Sequence, residues 1–540
     1  MNVLIEQINP LIGAIEENTE TIIHGIKKAQ DLNCQIVVFP ELAICGYPPK
    51  DLLHLDDFLK KIEDNLQKIS KYCKNIMAIV GTPRRSRGKI FNSAAIFQNE
   101  NLIDFEDKSL LPNYDVFNER RYFNSKKQGK KVFNFQNKKI AVCICEDLWL
   151  PSNDPKSPLK NLKKEKLDLL INLSSSPFSH QKFTKRLSVA KKAAIDLKTE
   201  LILCNQVGGN DSLIFDGKSF HLDKNGNLMS KAKGFSSDSL QICLNQSKQK
   251  TTKIHEEDEK ELFEALVCGL RDYFQKCGFK SACLGLSGGI DSALVACLAA
   301  EALGSKNVHA IAMPSRYSSP ESLEDAQALA KAIQIELHTI SIDPLFQGFL
   351  DTLAPFFTGL KPDLCEENLQ ARIRGMLLMA FSNKFKHILL STGNKSEVAM
   401  GYTTLYGDQC GGLSVINDLL KEEVYSLSRW INKRKKSIPI RILEKAPTAE
   451  LRPNQKDSDS LPPYKDLDKV LKAYIVEKQS VKKIAKRFSF EENFVSDLID
   501  TVHRNEYKRR QSAPGLKISE KAFSDGWVFP IAQGWLKPKK

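Results

Sequence analysis

The first half of the chain repeats one pattern of hydrophobic and polar positions. A stretch with helical periodicity is followed by a short run of β-branched and other apolar residues, and each run ends in polar residues. Alternation of helix-forming and strand-forming segments is typical of layered α/β folds. The pattern therefore predicts an α/β fold whose strands cover residues 35–39, 77–80, 139–145, 167–173 and 201–207.

The pattern stops near residue 245 and restarts near residue 261. Residues 246–260 are polar and carry no periodic apolar positions, which favours a linker. A second α/β unit follows, with a predicted helix at 261–276, a strand at 281–286, a glycine turn and a helix at 291–303. We therefore predict two domains, 1–245 and 261–540, as expected for a chain of 540 residues.

The composition is that of a globular protein, with 42% hydrophobic and 27% charged residues. There is no run of 18 or more apolar residues, and the first residues lack the basic start and apolar stretch of a signal peptide. The thirteen cysteines are scattered, without a CxxC pair or a zinc-binding spacing. We expect a cytoplasmic protein without membrane contact, in which the cysteines are reduced and mostly buried.

The net charge of +14 raises the question of nucleic-acid binding. The lysines are dispersed, however, as at 160–166 and 537–540, and no RNA-binding or helix-turn-helix signature accompanies them. We interpret the charge as a solvated basic surface compatible with small anionic substrates, and we expect no nucleic-acid partner.

A glycine-rich loop joins a predicted strand to a predicted helix early in the second half. It reads Gly285, Leu286, Ser287, Gly288, Gly289, Ile290, Asp291, Ser292. Glycines permit a tight turn with inward backbone N–H groups, and the helix N-terminus adds partial positive charge, so such a loop binds phosphate. The loop is neither a Walker sequence nor a GxGxxG dinucleotide turn. A purely structural turn is the alternative interpretation.

The SGGxDS core of this loop resembles the phosphate loop of enzymes that split ATP into AMP and pyrophosphate. Blocks further along the chain narrow the resemblance to the NAD synthetase family, in consistent order over roughly residues 262 to 530. These blocks include MPSRYSS (313–319), STGNKSE (391–397), GYTTLYGD (401–408), AELRP (449–453) and YKRRQ (507–511).

This resemblance implies a C-terminal Rossmann-like ATP-pyrophosphatase domain and assigns residues to its ligands. ATP would bind residues 285–292 and Thr392, and nicotinic acid adenine dinucleotide would bind Asn368, Glu397 and Lys508. Mg²⁺ would be bound by Asp291 and Glu397, which offer hard oxygen ligands. Fixed cations are needed near the α-phosphate, for which Lys395, Lys508 and Arg316 are candidates. Taken singly, Gln370 and Arg374 are interpreted as part of a solvated helix face.

The first half has a constellation of its own. Glu41 ends the predicted strand IVVFPE, Cys145 ends the predicted strand IAVCIC, and Lys108 lies in the segment DKSLLPNYDVFNERRYF. Each is interpreted as a polar residue at or near a strand end, where α/β folds place their chemistry. Glutamine hydrolysis requires a nucleophile, a base and a cation for the oxyanion, which a thiol, a carboxylate and an ammonium supply. The set resembles the Glu–Lys–Cys triad of the nitrilase superfamily, which implies an αββα sandwich. By this resemblance Cys145 is the nucleophile, Glu41 the base and Lys108 the oxyanion stabiliser.

The same resemblance extends to residues around the triad. Glu119 is a weaker candidate for a supporting carboxylate. A buried structural cysteine is the alternative interpretation of Cys145, and Cys143 could share its solvent-facing side under strand alternation. Three further residues match positions that bind glutamine in the family: Tyr114, Ser176 and Lys182.

Together the two resemblances imply membership of the glutamine-dependent NAD synthetases. They imply ATP-dependent amidation of nicotinic acid adenine dinucleotide through an acyl-adenylate, with ammonia from glutamine, and a homo-oligomeric assembly. The alternatives are an enzyme acting on tRNA, which would require cysteine pairs or an RNA-binding domain, and a non-catalytic nucleotide sensor. One departure from the family is segment 524–530, SDGWVFP, where glycine and basic residues are usual.

Overall fold

The computed structural model of the chain describes residues 1–126, 129–244 and 257–535. The chain divides into two compact units, Met1–Glu256 and Glu257–Lys540. Residues 246–256 of the predicted linker lie outside the described residues, and a helix begins at Asp258, inside the end of the predicted segment. The boundary at residue 245 stays a prediction.

Residues 1–126 and 129–244, the part of the first unit that the structure describes, form fourteen strands and three helices, together with short 3-10 turns. The helices are α1 Ile15–Asp31, α2 Asp56–Ser70 and α3 Lys182–Leu197. The strands are β1 Asn2–Gln7, β2 Ile36–Val38, β3 Met77–Ser86, β4 Lys89–Gln98, β5 Asn101–Asp107, β6 Val132–Phe135, β7 Lys138–Ile144, β8 Leu169–Ser174, β9 Glu200–Asn205, β10 Val207–Asn210, β11 Leu213–Asp216, β12 Phe220–Leu222, β13 Leu228–Lys231 and β14 Asp238–Cys243.

Two six-stranded sheets of this unit stack face to face. Their strand orders are β14-β1-β2-β3-β4-β5 and β13-β12-β9-β8-β7-β6, while β10 and β11 form a separate hairpin. Strand alternation explains the layers, because Val3 and Ile5 enter the core between the sheets while Leu4 faces the helix side. Helices α1 and α2 cover the first sheet and α3 covers the second. The predicted αββα sandwich is therefore confirmed.

Each of the five strands predicted in the first half overlaps an observed strand, namely β2, β3, β7, β8 and β9. The long antiparallel ribbon β3-β4-β5, however, was not predicted from the pattern. The burial of β4 explains this difference, because its second half is apolar on both faces and lacks the alternation that identifies a half-buried strand.

Among its described residues, the second unit contains five strands and twelve α-helices, together with a π-helical turn at Lys472–Val476 and short 3-10 turns. The strands are β15 Ala282–Gly285, β16 Val308–Ala312, β17 Glu336–Thr339, β18 Ile388–Ser391 and β19 Leu413–Ser414. The helices are α4 Asp258–Cys277, α5 Ile290–Leu303, α6 Pro320–Ile333, α7 Asp343–Leu353, α8 Leu364–Phe385, α9 Lys395–Met400, α10 Lys421–Lys435, α11 Ile440–Glu444, α12 Tyr464–Leu471, α13 Val481–Phe488, α14 Glu492–Arg504 and α15 Glu506–Arg509.

The five strands of the second unit form one parallel sheet with the order β17-β16-β15-β18-β19. Chain order therefore reverses between β15 and β18, and loops that leave neighbouring strands in opposite directions open a crevice there. The apolar helix α5, which follows β15, is buried along most of its length. No helix among the described residues is long and apolar enough to cross a bilayer.

Candidate functional site

Glu41 and Lys108 meet in the interior of the first unit. Glu41 lies three residues after β2, and Lys108 directly follows β5. The distance from Lys108 Nζ to Glu41 Oε1 is 2.7 Å, and the two side chains are 0% and 1% exposed. Burial alone lowers the pKa of Lys108, but the charges of Glu119 and Glu41 raise it well above its ordinary value. Lys108 is therefore an ammonium at all relevant pH values.

Glu119 is the second carboxylate on Lys108. Its Oε1 lies 2.8 Å from Lys108 Nζ and accepts a hydrogen bond of 2.9 Å from the Tyr47 hydroxyl. Its Oε2 is buried without a hydrogen-bond partner among the described residues. Burial raises the pKa of Glu119 to about 7, the Lys108 charge opposing this rise and the Glu41 charge adding to it. The charge of the cluster therefore changes near neutral pH.

Neighbouring backbone and amide groups fix the orientation of Glu41. Its Oε1 accepts a hydrogen bond from Asn92 Nδ2 and its Oε2 one from the Ser175 amide, each 2.8 Å long. The chain at Glu41 also passes very close to Gly81 of β3, where an added Cβ would lie 2.2 Å from the Pro40 carbonyl oxygen. Asn92, Ser175 and Gly81 are not among the predicted site residues, because the positions next to them in the chain give no sign of a contact with Glu41.

Cys145 follows the last residue of β7 and begins a short 3-10 turn, Cys145–Leu148. Its φ of +40° is left-handed, which is uncommon for a residue with a side chain and is a mark of functional turns. Burial raises the pKa of the Cys145 thiol well above its ordinary value, the Glu41 charge adding to this effect and the Lys108 charge opposing it. The thiol is therefore protonated at neutral pH and requires a base to react.

Cys143 does not share this environment. It is buried in the core between the second sheet and α3, whereas Cys145 belongs to the core between the sheets. Asn172 Nδ2 donates to Cys143 Sγ at 3.2 Å. The expectation that Cys143 shares a solvent-facing side with Cys145 is therefore wrong, because the chain has left the strand at Cys145 and strand alternation no longer applies.

Two of the three predicted glutamine-binding residues, Tyr114 and Lys182, lie near Glu146, the residue after Cys145. The Tyr114 hydroxyl, on a side chain that is half exposed, lies 3.1 Å from both carboxylate oxygens of Glu146. The Lys182 ammonium lies 5.1 Å from the centre of the Trp149 ring, and its charge opposes the burial that raises the pKa of Glu146. Ser176 is buried, and its amide donates to Asn205 Oδ1 at 2.9 Å.

A cavity of about 1040 Å³ opens at the carboxyl ends of β15, β16 and β18 in the second unit. This volume is at the upper end of the range for ligand pockets. The cavity lies at the point where strand order reverses, as expected for ligand sites in parallel sheets. All residues predicted for the two nucleotides line it: Gly285, Leu286, Ser287, Gly288, Gly289, Ile290, Asp291, Ser292, Thr392, Asn368, Glu397 and Lys508.

The glycine loop is held in shape by its own hydroxyl groups. Ser292 Oγ lies 3.1 Å from Ser287 Oγ, which in turn accepts a hydrogen bond from the Gly289 amide at 3.2 Å. Gly288 has a φ of +77°, and a Cβ there would lie 2.2 Å from the carbonyl oxygen of Ser322. The loop thus requires glycine and leads directly into α5, whose N-terminus carries partial positive charge.

Lys421 at the start of α10 joins the two predicted metal ligands. Its Nζ lies 2.5 Å from Asp291 Oδ2 and 3.1 Å from Glu397 Oε1, and Asn394 Nδ2 donates to Asp291 Oδ1 at 2.8 Å. Burial raises the pKa of Glu397 to about 8, with the Lys421 charge opposing this rise and the Asp291 charge adding to it. Lys421 is not among the predicted site residues, because it lies in a segment with the pattern of a solvated helix, LLKEEVYSL.

The carboxylates around Lys421 are oxygen donors of the kind that divalent cations prefer. Among the described residues, no group of three or more His, Cys, Asp or Glu side chains is arranged to hold a metal ion. Asp291 and Glu397 are two carboxylates near one nitrogen, and Mg²⁺ in nucleotide sites is commonly bound by one or two carboxylates together with phosphates. The residues therefore fit Mg²⁺ that arrives with a polyphosphate.

The side chains predicted for the dinucleotide make local contacts as well. Lys508 Nζ donates to the carbonyl oxygens of Gly401 and Thr403, each at 2.8 Å. Asn368 Oδ1 accepts from the Thr404 hydroxyl at 2.8 Å. These bonds fix both side chains against the loop after α9 at the cavity wall.

Gln370 and Arg374, interpreted as a solvated helix face, are instead tied to neighbouring loops. Gln370 Nε2 donates to the Leu451 carbonyl at 2.9 Å, and Arg374 Nε donates to the Met313 carbonyl at 3.0 Å. That interpretation is wrong, because α8 packs against the loops that frame the cavity.

Two of the predicted phosphate-facing cations lie elsewhere. Lys395 is buried against Asp418, with its Nζ 2.7 Å from Asp418 Oδ1, and Arg316 contacts Asp343 at 3.2 Å. Neither is among the described residues that line the cavity. Local sequence could not separate these lysines and arginines, because their partners are distant in the chain.

The atypical segment 524–530 packs onto the helices next to the cavity. Trp527 is buried, its ring stacks on Phe529 with centroids 4.4 Å apart, and its Nε1 donates to Glu506 Oε2 at 2.9 Å. Glu506 is the first residue of α15, which also carries Lys508. The segment therefore anchors the short helix that presents Lys508.

Comparisons with known proteins cover the chain almost completely. A family model described as carbon-nitrogen hydrolase matches residues 5–252, and one described as NAD synthase matches residues 262–512. The chain is 44% identical to the glutamine-dependent NAD(+) synthetase of a Synechocystis strain, with 99% of each chain covered. It is 40% identical to the protein of the same name from Thermotoga maritima, with 100% of this chain and 99% of the relative covered.

Solved structures give the same picture. The structure of a glutamine-dependent NAD+ synthetase from Acinetobacter baumannii in complex with ADP has 37% identity and a TM-score of 0.79, and 99% of each chain is covered. A glutamine-dependent NAD(+) synthetase from Cytophaga hutchinsonii has 22% identity and a TM-score of 0.85, covers 99% of this chain and 98% of its own, and supports the fold alone. The predicted fold class is confirmed in both halves.

The raised pKa of Cys145 predicts an unusual alkylation profile. Only the thiolate reacts with iodoacetamide, so we expect the rate at Cys145 to keep rising with pH through pH 9. Replacement Lys108→Met removes the cation that favours the thiolate and is expected to slow the reaction further. Peptide mass spectrometry measures the rate at each cysteine, with the exposed Cys365 as reagent control. A plateau below pH 8 would show a preformed thiolate and contradict the buried, protonated thiol.

Proposed function

Because this chain belongs to the family of glutamine-dependent NAD(+) synthetases, we propose that Cys145 in its first unit releases ammonia from glutamine and that the cavity of its second unit binds the nucleotides for amidation. The observation that carries this assignment is the convergence of residues from separate strands at two sites, one in each matched segment. In the first unit, Lys108 forms an ion pair with Glu41, and the charges of both residues act on the pKa of the Cys145 thiol. The glycine loop, Asp291 and Glu397 line one cavity in the second.

In the first reaction, the Cys145 sulfur attacks the carboxamide carbon of glutamine while Glu41 takes the thiol proton. The developing oxyanion is stabilised by the Lys108 ammonium, which is fixed in place before the substrate binds. Ammonia leaves with the proton returned from Glu41, and a thioester forms. Water activated by Glu41 then hydrolyses the thioester to glutamate and restores the thiol.

In the second reaction, the nicotinate carboxylate of nicotinic acid adenine dinucleotide attacks the α-phosphorus of ATP. Pyrophosphate leaves, and ammonia then displaces AMP from the acyl-adenylate to form the carboxamide of NAD. The N–H groups of the loop and the Lys421 ammonium would bind the phosphates as charge shifts toward pyrophosphate. Asp291 and Glu397 would hold Mg²⁺ together with ATP, and the ion would supply charge neutralisation. Asn368 and Lys508 would bind the dinucleotide, and Thr392 the ATP.

We also propose that the protein is a homo-oligomer that pairs through an apolar surface of the second unit. Scattered exposed apolar residues are normal, but their concentration in one region marks an interaction site. Large apolar side chains are exposed on α7, on α8 and between these helices, here called the α7–α8 surface: Leu345, Phe349, Phe356, Leu360, Leu364, Met376, Met379 and Phe385.

The assignment of glutamine hydrolysis to the first unit and of amidation to the second predicts the behaviour of Cys145→Ala. We expect no NAD formation from glutamine, because the nucleophile is gone, and NAD formation near the wild-type rate from ammonium salts, because the second unit is untouched. The measurement follows NAD and AMP release from ATP and nicotinic acid adenine dinucleotide with each nitrogen source. Loss of both activities would refute separate sites.

The position of Lys421 predicts that Lys421→Met impairs amidation with either nitrogen source. We expect kcat to fall by at least about 100-fold, the scale for a fixed charge that stabilises a transition state, while glutaminase activity persists. Lys435→Met in the same helix is the matched control, because Lys435 is an exposed lysine paired with Glu301. Equal kcat values in the two variants would rule out this role for Lys421.

The oligomer proposal predicts that charge on the α7–α8 surface separates the subunits. We expect the double replacement Met376→Asp, Met379→Asp to reduce the solution mass to that of one chain, measured by light scattering after gel filtration. Ile195→Asp, at an exposed apolar position of α3, serves as control and should leave the mass unchanged. An unchanged mass in the double variant would argue against pairing through this surface.

A further inference from the structure

We propose that Asp147 is a positioning residue for glutamine hydrolysis, holding the segments that carry Lys108 and Cys145 in one fixed register. The inference rests on the proposed function of the first unit. Asp147 lies two residues after Cys145 and is fully buried. Its carboxylate contacts neither Glu41 nor Lys108 among the hydrogen bonds and ion pairs of the described residues, so its effect must act through the backbone.

The carboxylate of Asp147 binds backbone on both sides of the site. Its Oδ1 accepts hydrogen bonds from the amides of Ser109 and Leu110, at 2.9 and 2.8 Å. Its Oδ2 accepts one from the amide of Ile144 at 3.2 Å. These amides belong to the two residues just after Lys108 and to the residue just before Cys145. One rigid group therefore sets the distance between the oxyanion cation and the nucleophile.

A buried chain of charges keeps Asp147 in place. Lys130 Nζ lies 2.6 Å from Asp147 Oδ2 and 3.2 Å from Glu106 Oε1, and Lys126 Nζ lies 2.9 Å from the same Glu106 oxygen. Lys130 also donates to the Asp107 carbonyl at 2.9 Å. The side chains of Lys130, Asp147 and Glu106 are completely buried. The network thus also binds the end of β5, directly before Lys108.

The placement of these charges favours a catalytic purpose over a purely stabilising one. Buried ion pairs stabilise weakly at best, since removing each ion from water offsets the attraction between them. Here, apart from the contact with Lys130, the hydrogen bonds of Asp147 among the described residues go to backbone amides within two residues of Lys108 or Cys145. The left-handed backbone of Cys145 also requires surroundings that hold it, because such a conformation is disfavoured on its own.

The test is Asp147→Asn, which keeps the shape but replaces one acceptor oxygen with a donor facing Lys130 and the Ile144 amide. We expect kcat for glutamine hydrolysis to fall about 100-fold, the scale for a misplacement near 1 Å, while KM changes less than about threefold. NAD formation from ammonium should stay at the wild-type level. Lys131→Met, an exposed neighbour of Lys130 paired with Asp104, is the matched control and should leave kcat unchanged.

The double replacement Lys130→Met, Asp147→Asn separates positioning from charge balance. We expect Asp147→Asn to lower the thermal midpoint, because Lys130 loses one of its two carboxylate partners. The double replacement also removes Lys130, so the midpoint should return toward the wild type while kcat stays low. Recovery of kcat together with the midpoint would overturn the inference, as would a kcat of Asp147→Asn within threefold of the wild type. If Asp147→Asn does not fold, kcat of the double variant is compared with that of the wild type instead. Absence of Cys145-dependent glutamine hydrolysis in the wild-type protein would instead refute the proposed function.

Discussion

Each unit of this protein buries a lysine between two carboxylates, and the geometry of each candidate site depends on that ion cluster. Lys108 lies between Glu41 and Glu119, and Lys421 lies between Asp291 and Glu397. Burying an ion costs several kcal/mol. Removing one partner of a buried pair destabilises a protein by about 3–5 kcal/mol, because the other charge is left without compensation. Loss of any one of these charges would leave another buried charge without its partner. The ion clusters therefore hold together the strand ends and loops that carry the side chains.

Two carboxylates around one ammonium leave an excess of negative charge at a buried position. Burial disfavours the charged form of the second carboxyl group and therefore raises its pKa, to about 7 for Glu119 and about 8 for Glu397. Below these pH values each cluster holds a proton and is close to neutral. In the second unit, a cation delivered with ATP can neutralise the same excess, which links the electrostatics of the resting site to its proposed ligand.

The two sites differ in how strongly the backbone constrains them. Around Cys145 the constraints are tight: the left-handed turn, the close approach of Gly81 to Glu41, and the amides bound by Asp147. Around the glycine loop a cavity of about 1040 Å³ is framed by loops and helix ends. This contrast suits the chemistry, since covalent attack requires reacting atoms within about 3–3.5 Å, whereas a nucleotide site must hold large substrates.

The sequence by itself determined the two α/β units, the glycine loop and the residues at strand ends, because periodicity and local motifs are properties of neighbouring positions. It also proposed Glu41, Lys108 and Cys145 as site residues. Glu41 and Cys145 follow strands that the pattern predicts, whereas the strand before Lys108, β5, was not predicted. The three-dimensional fold places Lys421 at the cavity of the second unit, and it pairs Lys395 and Arg316 with carboxylates elsewhere. In the first unit it brings Asp147 against the amides after Lys108 and Gly81 against the backbone at Glu41. The physical reason is that ion pairing and close backbone approach depend on distances between segments far apart in the chain, which no local pattern encodes.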